Sequence, residues 1–196
     1  MTELDWATLV KERDEWVARN FPPYDGEIPG NDSILGCIEE LGELCHSHLK
    51  LKQGIRGTPA EHNAAAQDAI GDLTVYLLGV MSAHMNTDQV AVIATGRKPI
   101  TSEETLFLLA NEVGFLAATT IGSMTGSWVI AINNILKYCE FYCTFKGWDF
   151  DAIVMTTWNH VKQRDWNAHR AEGAAMDDPA VKDPSLSTVS KDTPYG

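Results

Sequence analysis

The stretch from about residue 61 to residue 84 constrains the fold more than any other part of the sequence. At helical periodicity its apolar residues cover nearly every side of the cylinder, which is typical of a buried helix. Asp68 and Asp72 lie inside this stretch, one helical turn apart on the same side. Because a carboxylate is costly to remove from water and no Lys or Arg occurs between Arg56 and Arg97, the aspartates need a partner from elsewhere.

A second acidic helix is predicted from about residue 31 to residue 53. Glu39, Glu40 and Glu43 occupy about 100° of its circumference. Taken alone, this pattern is that of a solvent-exposed face. The short connection to the next helix favours an antiparallel pair, however, and five carboxylates would then face one crevice.

The remaining chain shows helical periodicity and no sustained alternation with a period of two. Capping residues and apolar spacing predict helices over about 3–19, 101–120, 127–146 and 149–166, with a short one after Thr87. The fold class is therefore predicted to be all-α, as one domain over residues 1–170. Residues 171–196 are rich in Asp, Pro, Ser and Thr, and we predict a disordered tail.

Charge and hydropathy exclude several classes of partner. A net charge of −12 is unsuited to binding a nucleic acid polymer, which requires clustered Lys and Arg. No apolar run approaches the ~20 residues that span a bilayer, so no membrane partner is expected. The charged N-terminal segment lacks the apolar core of a signal peptide, which predicts a cytoplasmic protein.

A crevice of carboxylates without His or Cys partners suits Mg²⁺, with Mn²⁺ as the alternative. Magnesium in proteins commonly meets a substrate phosphate, which indicates a phosphate ester or anhydride as substrate. Glu43 and His46 also have the spacing of a di-iron ligand pair in helical bundles. Such sites need two of these motifs, and the sequence has one.

The run Glu39-Glu40-Leu-Gly-Glu43, followed on the next helix by Asp72, resembles the signature of the MazG-like nucleoside triphosphate pyrophosphohydrolases. This all-α family includes the dimeric dUTPases and dCTP pyrophosphatases, and its signature is EExxE followed by ExxD. The position three residues before Asp72 is Ala69 instead of glutamate. We expect the preceding residue, Asp68, to supply the missing carboxylate.

The resemblance implies a MazG-like helical bundle that hydrolyses a (deoxy)nucleoside triphosphate to the monophosphate and pyrophosphate. The implied metal ligands are Glu40, Glu43, Asp68 and Asp72. Glu39, or a carboxylate that is not fully engaged with the metal, could accept a proton from the attacking water, and the catalytic set is Glu39, Glu40, Glu43 and Asp72.

Four further residues are candidates for substrate binding. Tyr76 matches an aromatic residue beside the nucleotide in similar proteins, although a tyrosine of the core is an equal alternative. Lys162 and Arg164 follow the last helix and could contact phosphate, or could be ordinary helix-end charges. Trp16 could stack on the base, although its spacing is also that of a core residue.

The second half of the chain repeats the first in a degenerate form, with one copy over residues 31–98 and another over 103–166. Glu40-Leu-Gly-Glu-Leu44 aligns with Glu112-Val-Gly-Phe-Leu116, Ala69-Ile-Gly-Asp-Leu73 with Ala131-Ile-Asn-Asn-Ile135, and Val75-Tyr76 with Lys137-Tyr138. In this register Glu43 becomes Phe115 and Asp72 becomes Asn134. We predict a fused tandem repeat, a pseudo-dimer with one acidic site.

Two other functions remain open. The alanine at position 69 favours a non-catalytic helical module that binds a nucleotide or a metal without turnover. An enzyme similar to phosphoribosyl-ATP pyrophosphohydrolase would share the fold. The apolar stretch from Ile121 to Ile132 makes a homodimer plausible.

Overall fold

The computed structural model describes residues 4–21, 28–90, 96–122 and 127–167. Within these ranges the chain forms six α-helices: α1 (Trp6–Asn20), α2 (Asn31–Gln53), α3 (Pro59–His84), α4 (Ser102–Thr120), α5 (Trp128–Lys146) and α6 (Phe150–Val161). A short 3-10 helix covers Thr87–Gln89, and no strand occurs in the described ranges. The predicted all-α class is confirmed. The predicted tail, residues 171–196, lies outside the described residues.

The helix ends follow from local hydrogen bonding. The Thr58 side chain accepts a bond from the Glu61 backbone N–H, while the Glu61 carboxylate accepts one from the Thr58 N–H, and Pro59 occupies the first helical position of α3. Gly54 and Gly147 end α2 and α5 in the left-handed conformation, which a residue without a β-carbon adopts without strain.

Helix α3 lies at the centre of the bundle and packs against α1, α2, α5 and α6. Its apolar side chains are nearly all buried, as its composition predicts, with Ile70, Leu73 and Leu77 fully excluded from solvent. Burying apolar surface is the main source of folding free energy. The bundle is therefore organised around the same helix that contains Asp68 and Asp72.

Helices α2 and α3 form an antiparallel hairpin, as their short connection predicts. The Cys37 thiol on α2 lies 3.9 Å from the Leu73 carbonyl oxygen on α3. One turn away, a methyl group at Gly36 would overlap the ring of Tyr76, so the absence of a side chain on α2 lets the ring lie against the helix. This register brings the acidic faces of the two helices to the same level.

Helices α4 and α5 form a second hairpin, and the Asn134 amide on α5 donates to a Glu112 carboxylate oxygen on α4 at 3.2 Å. The two hairpins agree with a tandem repeat, which stays a prediction. The described chain up to Arg164 belongs to one compact unit, and the described residues 165–167 do not belong to it. None of the described helices combines the length and apolar character that a bilayer crossing requires.

Candidate metal and nucleotide site

The five acids predicted to share a crevice lie on the facing surfaces of α2 and α3, with very different access to solvent. Glu40 is buried between the helices, with 8% of its surface exposed. Asp72 is half-buried, whereas Glu39, Glu43 and Asp68 are exposed. Burial therefore affects Glu40 and Asp72 and not the whole acidic cluster. The expectation that Asp68 is buried is wrong, because α3 turns this position toward solvent.

The acids are close enough to perturb one another. Burial is the main cause that raises the pKa of Glu40 to about 8, and the charges of the four neighbouring acids, Asp72 first, raise it further. Burial also raises the pKa of Asp72 to about 6, with a further contribution from Asp68. Glu40 thus keeps its proton near neutral pH because it is buried and other carboxylates surround it. A cation bound here would stabilise the ionised form of these carboxylates.

A second pairing lies one turn along the hairpin. Burial raises the pKa of Glu43, and the charges of Glu39 and Asp68 raise it further, while His46 opposes the shift. Glu43 thus interacts with Asp68, as Glu40 does with Asp72, which is the order expected for antiparallel helices. Two pairs of acids, each with one member from α2 and one from α3, therefore lie at neighbouring levels of the hairpin and mark the predicted crevice.

The five side chains have the right ligand atoms for a hard divalent cation, but their present arrangement does not form a coordination site. All five side chains offer carboxylate oxygens, the ligands that Mg²⁺ prefers. Among the described residues, however, no three His, Cys, Asp or Glu side chains are arranged to hold a metal ion. Mutual repulsion drives carboxylates to rotamers that separate their oxygens, and the exposed Glu39, Glu43 and Asp68 can rotate. The rise in the pKa of Glu40 and of Asp72 nevertheless shows that the acids lie close enough to interact.

Ala69 explains how the fourth carboxylate is displaced by one position. Its side chain is buried, with 1% exposed, and faces the core of the bundle. A glutamate at this position would require the core to open. Asp68 lies at the surface beside Glu43, so the acid at 68 reaches the crevice while the residue at 69 fills the core.

Arg164 is the predicted substrate-binding residue that the structure brings to the acids. Its positive charge lowers the pKa of Asp72 and so opposes the effect of burial. The chain reaches this position after α6 ends, and the Arg164 carbonyl oxygen accepts a hydrogen bond from the Trp16 indole N–H at 3.1 Å. A guanidinium beside carboxylates can bind a phosphate that a metal ion also binds.

The described contacts of Lys162 and Trp16 are with residues other than the five acids. The Lys162 ammonium is 3.4 Å from a Glu12 carboxylate oxygen that also accepts the Trp158 indole N–H at 2.7 Å. Trp16 is buried and packs edge-on against Trp158, at 6.4 Å between ring centroids. Trp16 thus has the core position that its spacing also allowed, with its indole N–H on the backbone of Arg164, and base stacking by Trp16 stays a prediction.

Tyr76 lies at the end of the crevice, half-exposed, with its ring against Gly36. Burial is the first cause that raises the pKa of its phenol, followed by the charges of Glu40, Glu39 and Asp72. The phenol thus lies within the field of the acids. Its position agrees with a contact to a ligand, and its partial exposure is not that of a core tyrosine.

A cavity of about 460 Å³ lies between α3 and α6, next to the crevice, and no sequence pattern predicts it. Asp68 lines both the crevice and this cavity. The other residues that line it include Gln67, Trp148, Thr156 and Thr157. The pairing of α3 with α6 brings these residues together across a large separation in sequence, which no local motif could indicate.

Comparison of the chain with family models, with curated proteins and with solved structures finds no match.

Proposed function

We propose that the protein hydrolyses a (deoxy)nucleoside triphosphate to the monophosphate and pyrophosphate in a Mg²⁺-dependent reaction, as the MazG-like signature implies. The observation that carries this proposal is the electrostatic coupling of Glu40 to four other acids from two helices, with Arg164 beside them. A buried acid such as Glu40, surrounded by other acids, destabilises the fold when it is ionised, and a bound cation with its phosphate ligand would offset that cost.

Each residue of the crevice would have a distinct role. Glu40, Glu43, Asp68 and Asp72 would hold Mg²⁺, with Mn²⁺ as the alternative. When bound, the ion neutralises phosphate charge and lowers the pKa of a coordinated water. Glu39 is exposed beside Glu40, so it could accept a proton from the attacking water. Arg164 would bind a phosphate oxygen. Lys162 could contact phosphate only after breaking its ion pair with Glu12.

The adjoining cavity is suited to the nucleoside part of the substrate. Its volume of about 460 Å³ lies within the usual range for small-molecule sites. The Trp148 ring offers an aromatic surface, and the side chains of Gln67, Thr156 and Thr157 offer donors and acceptors for a base or sugar. Because Asp68 lines both spaces, a nucleotide in the cavity would present its phosphates to the acids.

Pyrophosphate release from a panel of ribo- and deoxyribonucleoside triphosphates, with and without Mg²⁺, tests the proposal. Glu43→Gln removes one ligand charge at an exposed site and is expected to lower kcat/KM by at least ~100-fold, as the loss of a direct metal ligand does. Glu15→Gln, on the exposed side of α1, is the matched control and should leave the rate unchanged.

Several outcomes would contradict the proposal. Release that does not need Mg²⁺, or that survives in Glu43→Gln, would remove the acids from the reaction. Nucleotide or metal binding without release would favour the non-catalytic module, and release from phosphoribosyl-ATP alone would favour that related enzyme. We also propose that the protein acts in the cytoplasm. We further propose that it forms a homodimer, and sedimentation would test this oligomeric state.

A further inference from the structure

A second cavity, of about 470 Å³, opens between α4 and α5 on the other hairpin. It is lined by Gly96, Arg97, Leu108, Asn111, Glu112, Phe115, Ser127, Ile130, Ala131, Asn134 and Tyr138. None of these residues belongs to the acidic crevice. The cavity is therefore a separate space in the molecule, formed by the hairpin that lacks the acidic signature.

The position of this cavity is the counterpart of the acidic crevice. In the register that aligns the two hairpins, Leu108, Asn111, Glu112 and Phe115 correspond to Gly36, Glu39, Glu40 and Glu43, and Ile130, Ala131, Asn134 and Tyr138 correspond to Asp68, Ala69, Asp72 and Tyr76. All the helical residues that line the cavity thus have counterparts in or beside the crevice. The contact between Asn134 and Glu112 likewise repeats the proximity of Asp72 to Glu40.

The chemistry of the two sites differs in charge. Of the five acids in the crevice, one carboxylate remains at Glu112, two positions carry the amides of Asn111 and Asn134, and two carry the apolar side chains of Phe115 and Ile130. A single carboxylate with amides does not hold Mg²⁺ against water. The cavity keeps the shape of the crevice without its capacity for a cation.

The polar groups of the cavity are held in place by one another. Asn134 is 96% buried, since 4% of its surface is exposed, and its amide donates to Glu112 while its carbonyl oxygen accepts the Gly96 backbone N–H at 3.0 Å. A methyl group at Gly96 would overlap the Tyr138 hydroxyl, so glycine permits this approach of the chain. Burial raises the pKa of Glu112, and bonds from Asn134 and Asn111 oppose that shift.

The charge balance of the cavity identifies the class of ligand. Arg97 is the one cation among its described lining residues, and its guanidinium pairs with Glu104. A triphosphate would therefore meet the Glu112 carboxylate without a compensating charge. A neutral ring with N–H donors would instead donate to Glu112 and pack its faces on Phe115 and Ile130.

We propose that this cavity binds, without a metal ion, a neutral heterocycle with an exocyclic amino group, such as an amino-bearing nucleobase or its nucleoside. The amino group donates to the Glu112 carboxylate, and the ring lies between the apolar walls. This inference does not depend on turnover at the acidic crevice, because its ligand carries no phosphate and needs no Mg²⁺.

Calorimetric titration in EDTA with matched nucleosides tests the proposal. Cytidine, adenosine and guanosine carry the amino group, whereas uridine and inosine lack it. We expect saturable binding of at least one amino-bearing nucleoside. The matched nucleoside without the amino group should bind at least ~10-fold more weakly, because it would displace water from the Glu112 carboxylate without donating the amino hydrogen bond in its place. Glu112→Gln should weaken binding by a similar factor. Glu103→Gln, on the exposed side of α4, should not change it.

Amide chemical shifts of the wild-type protein locate the ligand without any variant. The Gly96 N–H and the Asn134 side-chain amide should shift on binding, because they form one hydrogen-bonded network with Glu112. Absence of saturation for every nucleoside up to its solubility limit would overturn the proposal. Shifts confined to the crevice around Tyr76, or binding that a folded Glu112→Gln retains, would overturn it equally.

Discussion

Replacing Glu40 with glutamine should stabilise the protein in the absence of divalent cations. Glu40 has a pKa of about 8 in the folded chain and an ordinary value of 4.5. Between these values the folded chain binds more protons than the unfolded chain, so the free energy of unfolding falls as the pH rises through this window. Glu40→Gln keeps the shape of the side chain and removes the ionisation that causes the fall.

The expected gain follows from the shift in pKa. One pKa unit corresponds to about 1.4 kcal/mol. Because neighbouring acids take up protons as Glu40 loses its own, ionisation of Glu40 costs less free energy than its full pKa shift would suggest. We therefore expect Glu40→Gln to raise the free energy of unfolding at pH 8 by about 2 kcal/mol, equivalent to about 6 °C in Tm for a chain of this size. At pH 4 the two proteins should melt together.

Thermal melts in EDTA from pH 4 to pH 9 measure this difference, with Glu15→Gln as an exposed control on α1. A Glu40→Gln protein that melts at or below the wild-type temperature at pH 8 would refute the reasoning. Excess Mg²⁺ should reverse the order, since the wild type gains the free energy of ion binding and the variant loses a ligand. Glutamine at position 40 would thus favour stability without the ion, whereas glutamate would favour binding of the ion.

Two further substitutions test the surroundings of the acids. Arg164→Met should raise the pKa of Asp72, because the arginine charge opposes the effect of burial, and NMR titration of the aspartate carboxyl would detect it; an unchanged pKa would place the guanidinium too far away to act on phosphate. Gly36→Ala should destabilise the fold by about 1–3 kcal/mol through overlap with the Tyr76 ring, measured by urea unfolding. Gly42→Ala, where a methyl group meets nothing within 4 Å, is the matched control and should not destabilise.

Most of the fold could be predicted from the sequence because its signals are local. The glycines that end α2 and α5 lie directly after the apolar periodicity, and the capping side chain of Thr101 precedes α4. Helix α6 was predicted to reach about residue 166 but ends at Val161. Neither glycine nor proline follows it, so the sequence contained no strong stop signal.

The candidate site was less predictable, because its details depend on which side of a helix faces which neighbour. Lys162 and Arg164 are two residues apart beyond the same helix, and residues at that spacing do not face the same way. The structure places Lys162 with Glu12 and Arg164 near Asp72. Trp16 had the spacing of a core residue, and packing assigns it that position, so its aromatic character alone was a poor guide to ligand contact.

The predicted repeat would place two kinds of site on one helical frame. Glu40 and Glu112 occupy matching positions, and burial raises the pKa of both. Neighbouring acids add to the shift at Glu40, where a cation would remove the repulsion. Amide groups oppose the shift at Glu112, where the carboxylate has hydrogen-bond donors instead. Because concentrated charge costs stability, a second acidic crevice in the same chain would double that cost, and a neutral counterpart avoids it. If the second cavity binds the neutral ligand that we propose, the second hairpin has a ligand chemistry that the acidic hairpin cannot have.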